Sequence, residues 1–322
     1  MIVWIGFVLL IGLFLALDLG VFNRTPHEIT TQEAFRWTLI WVSVSLLFSG
    51  FVYFGYENQW LGLGVEIGQT LSGREAVVKY LTGYLIEQSL SIDNIFVIAL
   101  IFSYFRIPQK YQHRTLFWGI VGALIFRGLM IGAGAYLMNE FSWMTYVFGL
   151  ILLYSAYRMW QSTNGEEAVD PEKNPVVRFF QRFFPVTSKM EGEHFFIMEA
   201  GKRVATPLFF ALLVIETSDV MFAFDSIPAI FAITTDPFLV FTSNIFAILG
   251  LRSLYFVLAS VLDRFQFLEY ALIIILAFVG VKMLLAHQVH MPEWVSLTVV
   301  VVVLIGGIIL SLFFDGEDSS AT

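Results

Sequence analysis

Glu216, Asp219 and Asp225 stand in the stretch 208–233, LFFALLVIETSDVMFAFDSIPAIFAI, which is apolar at nearly every other position. A carboxylate near the centre of a bilayer costs about 2.5–3.5 kcal/mol on insertion scales, so such residues face a bundle interior and bind something. A second acidic run, Tyr84 to Phe96, holds Glu87, Asp93 and Asn94. With Ser89, Ser91, Ser218 and Ser226, these residues make an all-oxygen donor set. Hard divalent cations take such ligands, with Mn²⁺, Ca²⁺ and Mg²⁺ the candidates. Neither run contains a histidine, and the whole chain has no cysteine. That disfavours a dedicated Zn²⁺ or Cu⁺ site and excludes thiolate ligands and disulfides.

Spacing refines the picture. Glu216 and Asp219 are three apart and share a helix face. Asp225 lies nine past Glu216, about 180° round an ideal helix, and Asp93 lies six past Glu87, about 120° off its face. Pro228 lacks an N–H and crowds the preceding turn, which predicts that the helix loosens near Asp225 and frees the carbonyl of Phe224. On that expectation the acids converge because both helices break, and broken helices at membrane depth line sites. The plainer reading is that each acid pairs with an intramembrane arginine and only holds the bundle together. Arg127 and Arg252 are available for two such pairs, but two cations do not neutralise five anions. Burial raises carboxylate pKa values, so proton exchange against a cation is chemically natural. Asn244 is a supporting residue, expected to bond the Pro228 region or to act as a ligand, while Asp18, His287 and His290 read as a helix-end acid and solvated loop residues.

The elements that carry these residues follow from composition. The chain of 322 residues is 58% hydrophobic and 14% charged, against about 25% charged in soluble proteins, which marks an all-α polytopic membrane protein. The formal net charge of −8 argues against a nucleic-acid partner. A spanning helix needs ~20 apolar residues. Nine segments qualify, near 2–22, 35–56, 76–102, 115–138, 142–162, 205–232, 238–261, 267–286 and 294–314, the first read as a retained helix rather than a signal peptide. A hydrophilic stretch, Gln161 to Arg203, separates the fifth from the sixth, and His194 to Ala205 suggests a hairpin turning at Ala200-Gly201. Arg24, Arg36, Arg106, Lys110, Arg114 and Arg264 fall on one side, against Arg74 and Lys79 on the other. The positive-inside rule then puts the N-terminus outside and the C-terminus in the cytoplasm.

The third to fifth segments resemble the sixth to eighth. Phe141-x-Trp143-x-x-Tyr146 matches Phe265-x-Phe267-x-x-Tyr270, and Arg158-Met159 matches Lys282-Met283. Arg127 matches Arg252 and Asp93 matches Asp219 at nearly the same offset. A unit of three spans makes its second copy enter from the other side, so the pair reads as an inverted repeat, with a site expected at the repeat interface near the midplane. The organisation is two N-terminal helices and an outer loop (1–75), a first repeat (76–162), a cytoplasmic loop (163–204), a second repeat (205–286), and a last helix with its tail (287–322).

The motifs Gly83-Tyr-Leu-Ile-Glu87-Gln-Ser-Leu-Ser-Ile-Asp93-Asn94-Ile-Phe and Glu216-x-Ser-Asp219-Val-x-Phe-Ala-Phe-Asp225-Ser-Ile-Pro228, with Thr235-Asp236-Pro237-Phe and Thr242-Ser-Asn244-Ile-Phe-Ala-Ile-Leu-Gly-Leu-Arg252, resemble the TerC/Alx family of bacterial inner-membrane proteins, in the LysE-like transporter superfamily. The likeness runs over nearly the whole chain, and Tyr56 to Glu75 and Gln161 to Met190 are its individual parts. It implies a manganese exporter, or a protein tied to manganese and alkaline-pH homeostasis. It also implies functional acids at Glu87, Asp93, Glu216, Asp219 and Asp225.

Three functions are therefore expected in order. The first is a transporter, not an enzyme, exporting Mn²⁺ (Ca²⁺ being the other candidate) and exchanging it against protons. The second is a non-transporting metal-homeostasis or metalation partner linked to tellurite or alkaline-pH stress. The third, an intramembrane aspartyl protease, is disfavoured because no Gly-x-Gly-Asp stands on a helix and an aspartyl dyad needs no further carboxylates.

Overall fold

A computed structural model describes residues 2–17, 29–65, 71–141, 143–162, 179, 187, 192–199, 201–258, 266–286, 288 and 291–318; of Asp93 it describes the backbone but not the side chain. Asp18, His287, His290 and most of the 163–191 stretch lie outside these residues. The described helices are α1 (Ile2–Leu17), α2 (Thr31–Glu57), α3 (Gly73–Tyr104), α4 (Gln109–Glu140), α5 (Met144–Ser162), α6 (Pro207–Phe231), α7 (Pro237–Leu258), α8 (Gln266–Leu284) and α9 (Glu293–Asp318). Each expected segment corresponds to one of these helices, with ends shifted by a few residues; Ala205, for example, belongs to a strand and the helix that follows starts at Pro207. Seven of these helices are long and apolar enough to cross a membrane, α1 and α5 being the exceptions. Strands β1 (Phe196–Glu199) and β2 (Lys202–Ala205) form the expected hairpin, with Gly201 at φ 76° in its turn.

Local chemistry sets the helix ends. Ser72 and Glu75 form a capping box that starts α3. Pro207 stands in the first turn of α6, where its missing N–H is harmless. Asp236 Oδ1 accepts from Phe238 N (2.9 Å) and Leu239 N (3.2 Å) to start α7, and Oδ2 accepts from the Tyr56 hydroxyl at 2.8 Å. Burial nevertheless pushes the Asp236 carboxyl above the usual aspartate range.

Helix α7 is mostly apolar and is buried along most of its length, polar residues such as Asn244 and Arg252 included, as a central helix must be. It packs on α2, α3 and α4. The most extensive contacts among α3 to α8 are α5 with α8, α3 with α7, and α4 with α6, followed by α3 with α6 and α4 with α7. Exchanging α3, α4 and α5 for α6, α7 and α8 leaves this pattern unchanged. Gly149 and Gly280 bring α5 and α8 together: a Cβ on either would stand 3.1–3.2 Å from the other's carbonyl oxygen. Small residues at such crossings let backbones approach, as in other membrane bundles.

One expectation fails. α3 and α6 are continuous helices, so the acids do not converge through breaks. Pro228 stands in the last turn of α6, three residues before its end at Phe231. There it forfeits one hydrogen bond without interrupting a long helix downstream, and its ring is buried in the core.

Candidate functional site

Arg127 is the centre of the buried polar cluster. It projects from α4 and is 1% exposed. Its Nη2 donates to Asp219 Oδ1 at 2.7 Å and its Nε to Oδ2 at 3.1 Å, a fork on one carboxylate. Its Nη1 donates to Glu87 Oε1 on α3. Ser226 Oγ and Asn244 Oδ1 lie 3.4 Å from the same nitrogen. Asn244, on α7, donates Nδ2 to Glu87 Oε2 at 2.9 Å. The cluster joins α3, α4, α6 and α7, the first two helices of each triplet. One guanidinium faces two carboxylates, so with both ionised the cluster carries one negative charge too many.

Beside it is a cavity of ≈ 20 Å³, lined by Asn94, Ser218, Asp219, Phe222, Ile248 and Arg252 among others. That volume admits a single water-sized guest. Its lining comes from the C-terminal halves of α3 and α7, the N-terminal half of α4 and the middle of α6. Asp219 belongs to both cluster and cavity. The Oδ1 of Asn94, Oγ of Ser91, Oε1 of Gln88 and Oε2 of Glu216 are buried without a hydrogen-bond partner. Such orphaned oxygens are rare in folded interiors and mark places that want a cation or a donor. The carboxylate of Glu216 presses into the surface of α4 where Gly122 leaves a notch; a Cβ there would overlap it.

The expected site residues thus separate. Glu87, Asp219, Ser226, Asn244 and Arg127 meet in the cluster; Asn94, Ser218 and Arg252 line the cavity with Asp219; Glu216 lies against Gly122. Asn244 bonds Glu87 and Arg127 rather than the Pro228 region. Asp225 does not join them. Because α6 stays helical, it lies about 120° round from Asp219 and accepts from Ser155 Oγ on α5 at 2.5 Å. Ser89 turns its hydroxyl back to Leu85 O at 2.5 Å on its own helix. Position 93 is about 120° round the unbroken α3 from position 87; its side chain lies outside the description. Among the described residues no three acids or histidines converge as a metal site, because Arg127 stands between Glu87 and Asp219. Sequence reasoning missed Ser155 as the partner of Asp225 and Gly122 as the seat of Glu216. Neither a lone serine nor a lone glycine in an apolar helix carries a signal.

Comparison with known proteins places the chain in a group. The family described as integral membrane protein TerC matches residues 72–319. An uncharacterized membrane protein of Myxococcus xanthus is 47% identical over 309 residues, covering 96% of this chain and 91% of its own. A protein of Escherichia coli K12, provisionally named membrane-bound redox modulator Alx, is 44% identical over 303 residues, covering 94% and 91%. An uncharacterized membrane protein of Rickettsia bellii is 39% identical, covering 96% of both. No solved structure matches.

Proposed function

The chain belongs to the integral membrane protein TerC family, and we propose that it is a carrier exporting a hard divalent cation, Mn²⁺ first and Ca²⁺ second, from the cytoplasm. The observation that carries the reading is the excess of buried acid over base where α3, α4, α6 and α7 meet. Glu87 and Asp219 share one guanidinium, and Glu216, one turn from Asp219, has a carboxylate oxygen with no donor. Buried anions of this kind are tolerated in a bilayer where an ion or proton moves. Asp219, Asn94 and Ser218 line the small cavity, and oxygen ligands suit Mn²⁺ and Ca²⁺. In an inner membrane, with the N-terminus outside and the C-terminus in the cytoplasm, the α3, α4 and α7 residues that line the cavity lie in the cytoplasmic halves of their helices, the loading side of an exporter. The exchange-symmetric packing of the two triplets supports an inverted repeat, whose rocking alternates access. Protons are the counter-ion, since an acid that releases a cation can take up a proton.

Some relatives carry a redox-modulator name. This chain has no cysteine and so no thiol–disulfide couple. A redox effect of it works through the metal it moves.

The test is Mn²⁺ flux into proteoliposomes of purified protein. Wild type moves Mn²⁺ down its gradient, whereas Asp219→Asn and Asp93→Asn insert normally and move none. Wild-type protein that binds but moves no Mn²⁺ turns the reading into metal handover without transport; full flux in both variants ends it.

A further inference from the structure

A cation that takes Glu87 and Asp219 meets no vacant oxygen. Asp219 Oδ1 and Oδ2 both accept from Arg127, Glu87 Oε1 accepts from Arg127, and Glu87 Oε2 accepts from Asn244. Three of these four oxygens are held by one guanidinium, which is buried and carries the charge that a metal would replace. Binding therefore requires Arg127 to let go. A guanidinium released at this depth needs another anion, because an unpaired buried charge costs several kcal/mol.

Glu216 supplies that anion. α4 and α6 run side by side in the same direction, with Gly119 against Ile215, Gly122 against Glu216 and Gly134 against Phe231. Helix side chains lean towards their own N-terminus, and Arg127 accordingly reaches back along α6 to Asp219. Glu216 lies three residues further along the same lean, about 4.5 Å of helix rise. Its Oε2 is buried and has no donor. The Gly122 notch keeps its carboxylate against α4, the helix that carries Arg127. A buried acceptor that the resting guanidinium does not use thus stands one turn of α6 from its present partner.

We infer that Arg127 is an internal counter-ion that occupies the cation's carboxylates at rest and passes from Asp219 to Glu216 when the divalent cation binds. The inference rests on the proposed transport reading and deepens it: Glu216 receives the arginine and does not bind the metal. Emptying the site returns the guanidinium to Asp219, so the carboxylates are never left bare between cargoes.

Equilibrium binding of Mn²⁺ to purified full-length protein in nanodiscs tests this through a double-mutant cycle. Glu216→Gln removes the receiving anion and weakens Mn²⁺ binding by about tenfold in an otherwise native chain, within the usual range of coupling between sites. In an Arg127→Gln background, which binds Mn²⁺ more tightly than wild type, the same Glu216→Gln change has no effect. Should Arg127→Gln fail to fold, Arg127→Lys serves. A lysine keeps the charge but cannot fork onto Asp219, so Mn²⁺ binds more tightly than in wild type and the Glu216→Gln effect shrinks. An equal loss from Glu216→Gln in every background makes Glu216 a metal ligand and overturns the inference while sparing the function. Binding that ignores Arg127 also overturns it. No Mn²⁺ binding by wild type or any variant removes the proposed function, and the switch falls with it.

Discussion

Arg127→Met separates a cluster held by one cation between two anions from a set of independent ion pairs. In the native chain Arg127 gives two bonds to Asp219 and one to Glu87, all between buried residues. Deleting either acid leaves one guanidinium facing one carboxylate. Glu87→Gln keeps the Asp219 fork, Asp219→Asn keeps the Glu87 contact, and each loses charge-assisted hydrogen bonds worth about 1.5–3 kcal/mol. Deleting the arginine leaves two buried carboxylates together, with Asn244 Nδ2 still donating to Glu87. Removing one partner of a buried ion pair costs about 3–5 kcal/mol, and here two anions lose theirs. The expected order of stability is wild type, then either acid variant, then Arg127→Met. A triple change, Glu87→Met with Arg127→Met and Asp219→Leu, recovers most of the loss, since apolar side chains of similar volume replace buried ion pairs at little cost. Unfolding in bicelles titrated with SDS, followed by tryptophan fluorescence, measures the order. An Arg127→Met protein as stable as Asp219→Asn refutes the reasoning.

Other expectations test the packing around this cluster. Gly122→Ala drives a methyl into the Glu216 carboxylate; overpacking costs about 1–3 kcal/mol, and the same unfolding assay on Gly122→Ala and Gly128→Ala shows the first to be the more harmful. Gly280→Leu separates α5 from α8, because its Cβ already stands 3.1 Å from Gly149 O and 3.0 Å from Leu153 Cγ; cross-linking between cysteines placed on those two helices falls. Asp236→Asn keeps the α7 cap, since asparagine caps as well as aspartate. Burial raises the Asp236 pKa above its ordinary 3.8, so its contribution is fullest below that pH and is lost as pH rises through the folded value. The unfolding midpoint of Asp236→Asn therefore falls less than that of wild type on moving from pH 4 to pH 8. An identical pH dependence in the two proteins denies the burial effect.

The helices were legible because a bilayer demands long apolar runs, and the ends of those runs are written in caps. Ser72 with Glu75 opens α3, and Pro207 opens α6 within a few residues of the expected boundaries. The hairpin was legible at Gly201, whose φ of 76° few other residues adopt. Acids in apolar runs announced the site as a region. Their partners were not legible, because pairing across helices depends on rotation and depth that no single helix records. Arg127 and Asp219 are 92 positions apart, and only the parallel packing of α4 on α6 brings them together. Pro228 misled for a related reason. A proline near three acids suggested a break, but its effect depends on how much helix remains downstream, and α6 ends one turn later.

The same dependence changes what the five acids mean. In the sequence they are equivalent donors, and counting them suggests a cage. Packing makes them unequal: Glu87 and Asp219 are already occupied by Arg127, Asp225 is turned to Ser155, and Glu216 is held against α4 with an oxygen unused. A cage of free carboxylates at this depth would be too costly to fold without its metal, since buried like charges repel and none is hydrated. On the proposed reading, an arginine standing where the cargo would stand removes that cost and leaves the bundle stable when empty. The tighter the arginine holds, the weaker the cargo binds, so affinity in such a carrier is set by the competition between guanidinium and metal for the same oxygens. Lysine at position 127 should accordingly shift Mn²⁺ affinity without any change in the ligands themselves.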